Sequence, residues 1–199
     1  MSLTLREREK ITGLIEEGVV MSADRLGKMS RTEWGVMSSS TNEFPAVRLL
    51  TRFTRSKEPH VGARLRTETE LAMEMLILFS ARSARAVTDV VTKPFSDRLR
   101  RLPDLVPLTI AEVSNVMGQS VVGALADRFG RALIVSAPEV KTGTKADLLG
   151  EAFDRYDGRK DVLLMSHVEL YSMNLAAECS MVTIVESAAI RDFLASTPV

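Results

Sequence analysis

Hydrophobic residues recur at helical spacing in two long stretches of the chain. The first stretch, Thr4 to Arg31, has its apolar positions at Ile11, Leu14, Ile15, Val19, Leu26 and Met29. The second stretch, Leu108 to Phe129, has them at Ile110, Val113, Met117, Val121, Ala124 and Leu125. This spacing places the apolar side chains on one face of an α-helix. The pattern therefore predicts two long helices, each of which buries one face.

Shorter stretches have the alternating or continuous apolar patterns that are typical of β-strands. The predicted strands are Trp34 to Met37, Val47 to Thr54, Val61 to Thr67, Leu71 to Phe79, Ala132 to Ser136, Val162 to Leu170 and Leu175 to Val185. The polar run Ser38 to Asn42 predicts a loop. Shorter helices are predicted at Ala81 to Val91, Lys145 to Tyr156 and Ser187 to Leu194. Because the links between strands are short, antiparallel pairing is expected.

The order of helix, strands and helix occurs twice along the chain. A connector, Lys93 to Asp104, has prolines near both of its ends and separates the two occurrences. Sparse letter matches keep their order across the halves, such as Gly27 with Gly123. We therefore predict an internal duplication. The predicted units are one domain, 1–199, and its two repeats, approximately 1–95 and 96–199.

Composition and charge argue against several classes of protein. The 199 residues include 26 basic and 26 acidic ones, so no excess charge favours nucleic acid or a membrane surface. The N-terminal residues lack the apolar segment of a secretory signal, and no apolar run approaches the length of a membrane span. The single cysteine, Cys179, rules out an internal disulfide and is expected to be a small buried residue. We expect a soluble, cytoplasmic protein.

The sequence lacks the residue clusters that usually hold metals or cofactors. Its two histidines, His60 and His167, are far apart, and with one cysteine no metal-ligand spacing can be assembled. No glycine-rich phosphate loop, dinucleotide fingerprint or G-x-S-x-G motif is present. We therefore expect no cofactor and no metal of the protein's own.

The second long helix carries a polar line opposite its apolar face. The line consists of Glu112, Asn115 and Gln119, and its modest-sized neighbours are Val116, Gly123 and Ala126. Both an ordinary solvent-exposed face and a docking surface for another protein fit this pattern. An amide can hold a water molecule but cannot take its proton near neutral pH. That is sufficient for an acyl phosphate, whose hydrolysis has a loose transition state, and the carboxylate could bind a lysine of the partner.

The spacing of these residues resembles the signature of the CheC/CheX/FliY phosphatases of chemotaxis, which is E-x2-N followed after 22 residues by proline. Here the signature reads Glu112, Asn115 and Pro138, within a segment that is similar to the second-half helix and strand of CheC. The resemblance implies an α+β fold with antiparallel strands and two long exposed helices. It implies hydrolysis of the aspartyl phosphate of a CheY-type response regulator, with Glu112 contacting the receiver domain and Asn115 positioning the attacking water. Pro138 is expected to end the strand after the helix.

The resemblance also implies the partners of the protein. The first is a phosphorylated CheY-type receiver domain, which would carry the Mg²⁺, and a further one is the receptor deamidase CheD. Neither nucleic-acid binding nor membrane insertion is expected. One departure from the family pattern is Leu108, which stands where the signature begins with Asp or Ser. We interpret it as a weaker start of the helix.

The first half departs further from the family pattern. Pairing Glu16 with Glu112 puts Val19 where the asparagine should be, and pairing Glu17 with Glu112 puts Val20 there. Because valine cannot orient water, one working site, in the second repeat, is expected. Two other functions stay open. One is a non-catalytic adaptor that binds a receiver domain or a CheD-like deamidase, and the other is a structural flagellar or scaffold component.

Overall fold

A computed structural model of the chain describes residues 2–46, 57–67, 69–99, 102, 104–157 and 161–196. Within these residues the helices are α1 (Leu5–Ser30), α2 (Ala81–Thr92), α3 (Ser96–Leu99), α4 (Leu105–Phe129), α5 (Lys145–Phe153) and α6 (Ser187–Ala195). The strands are β1 (Gly35–Pro45), β2 (Pro59–Thr67), β3 (Met73–Ser80), β4 (Glu139–Thr144), β5 (Val162–Ser172) and β6 (Ala177–Glu186). The fold is α+β, as expected.

All six strands form one sheet in the order β1-β5-β6-β3-β2-β4, and every neighbouring pair is antiparallel. The prediction of antiparallel pairing is therefore confirmed. If β1, β2 and β3 are exchanged with β4, β5 and β6, the same order is read from the other end. This symmetry of the sheet is the one that an internal duplication would produce. The repeat boundaries near residue 95 stay a prediction.

The two long helices have well-formed ends. Thr4 closes a capping box at the start of α1, and the Asp104 side chain accepts a backbone N–H of the first turn of α4 at 3.1 Å. Arg31 and Gly130 end the helices in the left-handed conformation, with φ of 53° and 59°. The start of α4 at Leu105 is three residues earlier than predicted, because Asp104 supplies the cap.

α1 and α4 run antiparallel and touch closely. A Cβ on Gly18 would lie 2.5 Å from the Cα of Val121, so only glycine permits this distance. One turn further, the Ser22 hydroxyl lies 2.8 Å from the carbonyl oxygen of Met117 and donates a hydrogen bond across the interface. Both predicted apolar stripes are buried, except that Met29 of the first is only partly buried. Among the described residues α4 alone has the length and apolar content of a membrane-spanning helix, and half of that stretch is buried in the protein.

The sheet separates two hydrophobic clusters. The larger cluster lies between the sheet and the long helices, and β3 contributes Met75 and Ile77 to it. The smaller cluster lies on the opposite face, where α5 packs on Leu76 and Leu78 of the same strand. β3 is therefore buried on both faces, which explains its continuous apolar sequence.

A buried carboxylate fixes the residues that follow α5. Glu74 of β3 is fully buried and accepts hydrogen bonds from Arg64 Nε at 2.8 Å and Arg64 Nη2 at 3.0 Å. Arg155, just beyond α5, donates to the same carboxylate at 2.7 Å. These contacts with Glu74 raise the pKa of both guanidinium groups. Strand β3 and the end of α5 are thus joined by one ion cluster.

One loop prediction and one strand prediction are wrong. Ser38 to Asn42, predicted as a loop, belongs to β1, where it pairs with β5. β1 lies at the edge of the sheet with mostly exposed side chains, so it has no apolar alternation to reveal it. Ala132 to Ser136, predicted as a strand, forms only an isolated bridge from Val135 to Thr67. Leu133 and Val135 pack against the core, whereas Ile134 is exposed. The predicted strand Val47 to Thr54 lies outside the described residues.

Candidate functional site

The polar line predicted on the second long helix lies along the outer face of α4. Glu112 and Gln119 are exposed, and Asn115 is half-buried between them. Consecutive members are three or four residues apart, so their side chains stand on neighbouring turns of one face. Their neighbours Val116 and Gly123 are half-buried and small. The face is therefore shallow and open to the approach of another protein.

Asn115 and Gln119 form a hydrogen bond. Gln119 Nε2 donates to Asn115 Oδ1 at 3.2 Å. Among the described residues the Asn115 side chain makes no other hydrogen bond, so its Nδ2 hydrogens are available to an external acceptor. Glu112 forms no ion pair within the described residues, so its exposed carboxylate is likewise available.

Leu108 extends the same face by one turn. It lies inside α4, four residues before Glu112, and 54% of it is exposed. The helix begins upstream at the Asp104 cap, so the interpretation of Leu108 as a weaker helix start is wrong. Leu108 instead adds an exposed apolar side chain beside the polar line. The spacing could have shown this, because Leu108 is four residues before Glu112 and so lies on the same face of the helix.

The packing of the helices fixes how the two halves correspond. Each of the nine buried positions of α1 matches a buried position of α4 that is 99 residues later, for example Ile11 with Ile110. The left-handed C-caps, Arg31 and Gly130, are also 99 residues apart.

This register differs from both registers that the sequence suggested for the first half. In this register Gly13 is the counterpart of Glu112, and Glu16 is the counterpart of Asn115. The counterpart of Asn115 is thus neither Val19, which is buried, nor Val20, which is exposed. The corresponding first-half face therefore carries no amide.

Glu16 is held in a way that Asn115 is not. Ser39 of β1 donates from its hydroxyl to Glu16 Oε1 at 3.1 Å, beside a groove of about 390 Å³ between α1 and β1. At the same offset of 99 residues, Ser39 corresponds to Pro138. Proline has neither a side-chain donor nor a backbone N–H. The prediction that Pro138 ends a strand is wrong, because Pro138 directly precedes β4.

The two histidines and the cysteine lie on strands of the sheet and not on this face. His60 is on β2 and His167 on β5, and β6 and β3 lie between these strands. Cys179 is buried on β6, and burial raises the pKa of its thiol. Within the described residues no group of three or more His, Cys, Asp or Glu side chains could hold a metal ion. A groove of about 930 Å³ lies beside the C-terminal end of α1 and includes neither Glu112 nor Asn115.

Comparisons with known proteins give relatives along the whole length of the chain. No family model matches the sequence. CheC1 of Halobacterium salinarum, named as a candidate CheY-P phosphatase, is 20% identical over 179 residues, which is 90% of each chain. The crystal structure of Thermotoga maritima FliY has a TM-score of 0.71 at 14% identity, with 98% of this chain and 97% of that chain covered. CheX from Desulfovibrio desulfuricans has a TM-score of 0.58 at 12% identity, with 87% and 99% covered. At these identities the solved structures establish the fold.

Proposed function

We propose that the chain, which is similar to CheC1, FliY and CheX over most of its length, is a member of the CheC/CheX/FliY family and hydrolyses the aspartyl phosphate of a CheY-type receiver domain. The proposed working site is the outer face of α4 in the second half of the chain. The observation that carries the proposal is an amide, Asn115, whose Nδ2 makes no hydrogen bond within the described residues and which lies one turn from the exposed carboxylate of Glu112. Neither residue is needed for the core of the protein.

Asn115 is proposed to orient the attacking water. An amide can donate to the water or to a phosphoryl oxygen, but it cannot accept a proton near neutral pH. An aspartyl phosphate does not require a strong base, because its transition state is loose and little bond formation to the water has occurred. Holding the water in line with the leaving carboxylate is therefore sufficient for catalysis.

Glu112 is proposed to bind the partner. Its carboxylate is exposed and forms no ion pair within the described residues, so a lysine of the receiver can bind to it. Leu108, one turn earlier, offers apolar contact area on the same face. Binding by Glu112 would set the distance between Asn115 and the phosphoryl group. Loss of Glu112 should thus weaken docking more than it weakens the chemical step.

The metal of the reaction is proposed to come with the substrate. The phosphorylated receiver would carry Mg²⁺, which neutralises charge on the phosphoryl oxygens. This chain would then need no cofactor of its own. The cytoplasm is the proposed location, because the proposed substrate is a cytoplasmic signalling protein. CheD remains a proposed additional partner.

A second function is favoured by the face of the first half. Gly13 and Glu16 occupy the positions of Glu112 and Asn115, and a carboxylate in the place of the amide would repel a phosphoryl group. That face could bind a receiver domain or a CheD-like deamidase without catalysis. The chain as a whole would then act as an adaptor if the second-half face were also inactive.

Phosphate release separates these two functions. A purified CheY-type receiver from the same organism is phosphorylated with a small phosphodonor and Mg²⁺, freed of donor, and mixed with the chain. We expect the chain to accelerate phosphate release, and we expect Glu112→Ala to raise the receiver concentration required for half the maximal rate. The matched control Glu16→Ala should leave the rate unchanged. Binding of the phosphorylated receiver without faster phosphate release would instead establish the adaptor.

A further inference from the structure

Gln119 contacts the proposed water-orienting amide directly. Its Nε2 donates to Asn115 Oδ1 at 3.2 Å, and the two residues are one helical turn apart on the exposed face of α4. An asparagine amide has two orientations that differ by exchange of its oxygen and nitrogen. In the observed arrangement the Gln119 donor lies beside the oxygen, so Nδ2 is on the side away from that donor. That orientation presents the two Nδ2 hydrogens to an external water or phosphoryl oxygen.

The two halves of the chain support a shared role for Asn115 and Gln119. At the offset of 99 residues, the counterparts of Asn115 and Gln119 are Glu16 and Val20. The first half therefore lacks both the amide and the donor that orients it. Glu16 receives its hydrogen bond from Ser39 on the neighbouring strand instead.

The second half has no such donor at the corresponding position. Pro138 stands where Ser39 stands in the first half, and proline has no hydrogen to donate from its side chain or its backbone nitrogen. Among the described residues, Asn115 Oδ1 accepts its side-chain hydrogen bond from Gln119. The orientation of the amide depends on a residue of the same helix.

We propose that Gln119 is a positioning residue, which holds the Asn115 amide with its Nδ2 hydrogens toward the reacting water. This inference rests on the proposed phosphatase function. Gln119 itself does not contact the reacting atoms. It sets the fraction of molecules in which Asn115 has the productive orientation, and so it acts on kcat and leaves docking of the receiver unchanged.

Three substitutions of Gln119 distinguish a role in orienting the Asn115 amide from a purely structural role in the helix. Gln119→Lys keeps only a donor, Gln119→Glu keeps only an acceptor near neutral pH, and Gln119→Met has neither at a similar length. All three residues are good helix formers, so a purely structural role would make them equivalent. The test uses the full chain with a Mg²⁺-loaded, phosphorylated CheY-type receiver, and it measures kcat and KM separately. Introduced charges would alter KM, whereas kcat at saturating receiver reports the orientation of the amide.

We expect Gln119→Lys to keep kcat within about twofold of the parent, and Gln119→Met to lower it about twofold to fivefold. Gln119→Glu should lower kcat about tenfold, because a carboxylate attracts Nδ2 and turns the amide around. Equal kcat values for the Lys, Met and Glu variants would overturn the proposal.

A second measurement does not depend on activity. The side-chain ¹⁵N–¹H₂ signals of Asn115, assigned by their loss in Asn115→Ala, should be alike in the parent and Gln119→Lys and should shift in Gln119→Glu. If the parent protein does not accelerate phosphate release from the receiver, the proposed function is wrong. The Asn115 signals still decide whether Gln119 orients the amide. Identical Asn115 signals in all variants would contradict the orientation.

Discussion

Two glycines of α1 predict opposite effects of the same substitution. Gly18 lies against α4, where a Cβ would be 2.5 Å from the Cα of Val121 and 3.2 Å from the carbonyl oxygen of Ser120. Gly13 lies on the outer face of the same helix, and a Cβ there would meet no atom within 4 Å. Replacing either glycine with alanine changes the intrinsic helix preference equally. Only the contact with α4 differs.

The magnitudes follow from these contacts. In a helix interior alanine is favoured over glycine by roughly 0.8–1 kcal/mol, so Gly13→Ala should raise the free energy of unfolding by about that amount. At Gly18 the neighbouring atoms are backbone and cannot rotate away, so α1 and α4 must separate. Overpacking of this kind costs about 1–3 kcal/mol, and lengthening the Ser22–Met117 hydrogen bond costs about 1 kcal/mol more. Gly18→Ala should therefore lower the free energy of unfolding by a net of about 1–3 kcal/mol.

Urea unfolding followed by circular dichroism measures both changes. The denaturant slope should stay constant, so that the shift in midpoint reports stability alone. The close contact between α1 and α4 would be refuted if Gly18→Ala were as stable as Gly13→Ala. A loss of stability in Gly13→Ala would show that the outer face of α1 is covered, contrary to the structure.

Two further predictions concern the opposite face of the sheet. Glu74→Gln should lower the free energy of unfolding by roughly 3 kcal/mol, because Arg64 keeps its charge in a site only 18% exposed. The exposed control Glu151→Gln, which loses an ion pair with Lys141, should change it by less than about 1 kcal/mol in the same urea unfolding experiment. Burial raises the pKa of Tyr156 to about 12, so the folded state holds the phenolic proton in a range where the unfolded chain releases it. The contribution of this proton to the free energy of unfolding is thus fully present below pH 10, and it falls from about pH 10 to pH 12 by up to about 1.4 kcal/mol per pH unit. Tyr156→Phe should remove that part of the decline in a urea unfolding series across this pH range.

Much of the fold follows from local patterns in the sequence. The sequence predicts the long helices, the strands β2, β3, β5 and β6, and the short helices α2, α5 and α6, because each buries a regular apolar face. Helix α3, which buries no residue, lies in the predicted connector. β1 was shortened in the prediction, because a polar edge strand depends on backbone pairing with β5 and leaves no pattern in its side chains. β4 was missed for a related reason. It is six residues long and lies at the other edge of the sheet.

The candidate site was only partly accessible to the same reasoning. The helical wheel predicts that Glu112 and Asn115 share the outer face of α4, since exposure on an amphipathic helix follows from spacing. Their interpretation as a site comes from the resemblance to the family signature. The correspondence between the halves was not, because it depends on how α1 and α4 pack and on insertions between strands. Only the structure shows that Glu16 is the counterpart of Asn115 and that Glu16 accepts a hydrogen bond from Ser39. The hydrogen bond from Gln119 also requires side-chain geometry.

The decay of a phosphorylated receiver in the presence of Asn115→Ala tests the central claim most directly. Removal of one hydrogen bond that orients the water or stabilises the transition state typically costs about 100-fold to 1000-fold in rate. We expect Asn115→Ala to lose activity by about that factor at saturating receiver. Its unfolding midpoint in urea should equal that of the parent, because a half-exposed asparagine contributes little to the core. If Asn115→Ala dephosphorylates the receiver at the rate of the parent, the face of α4 is not the catalytic site.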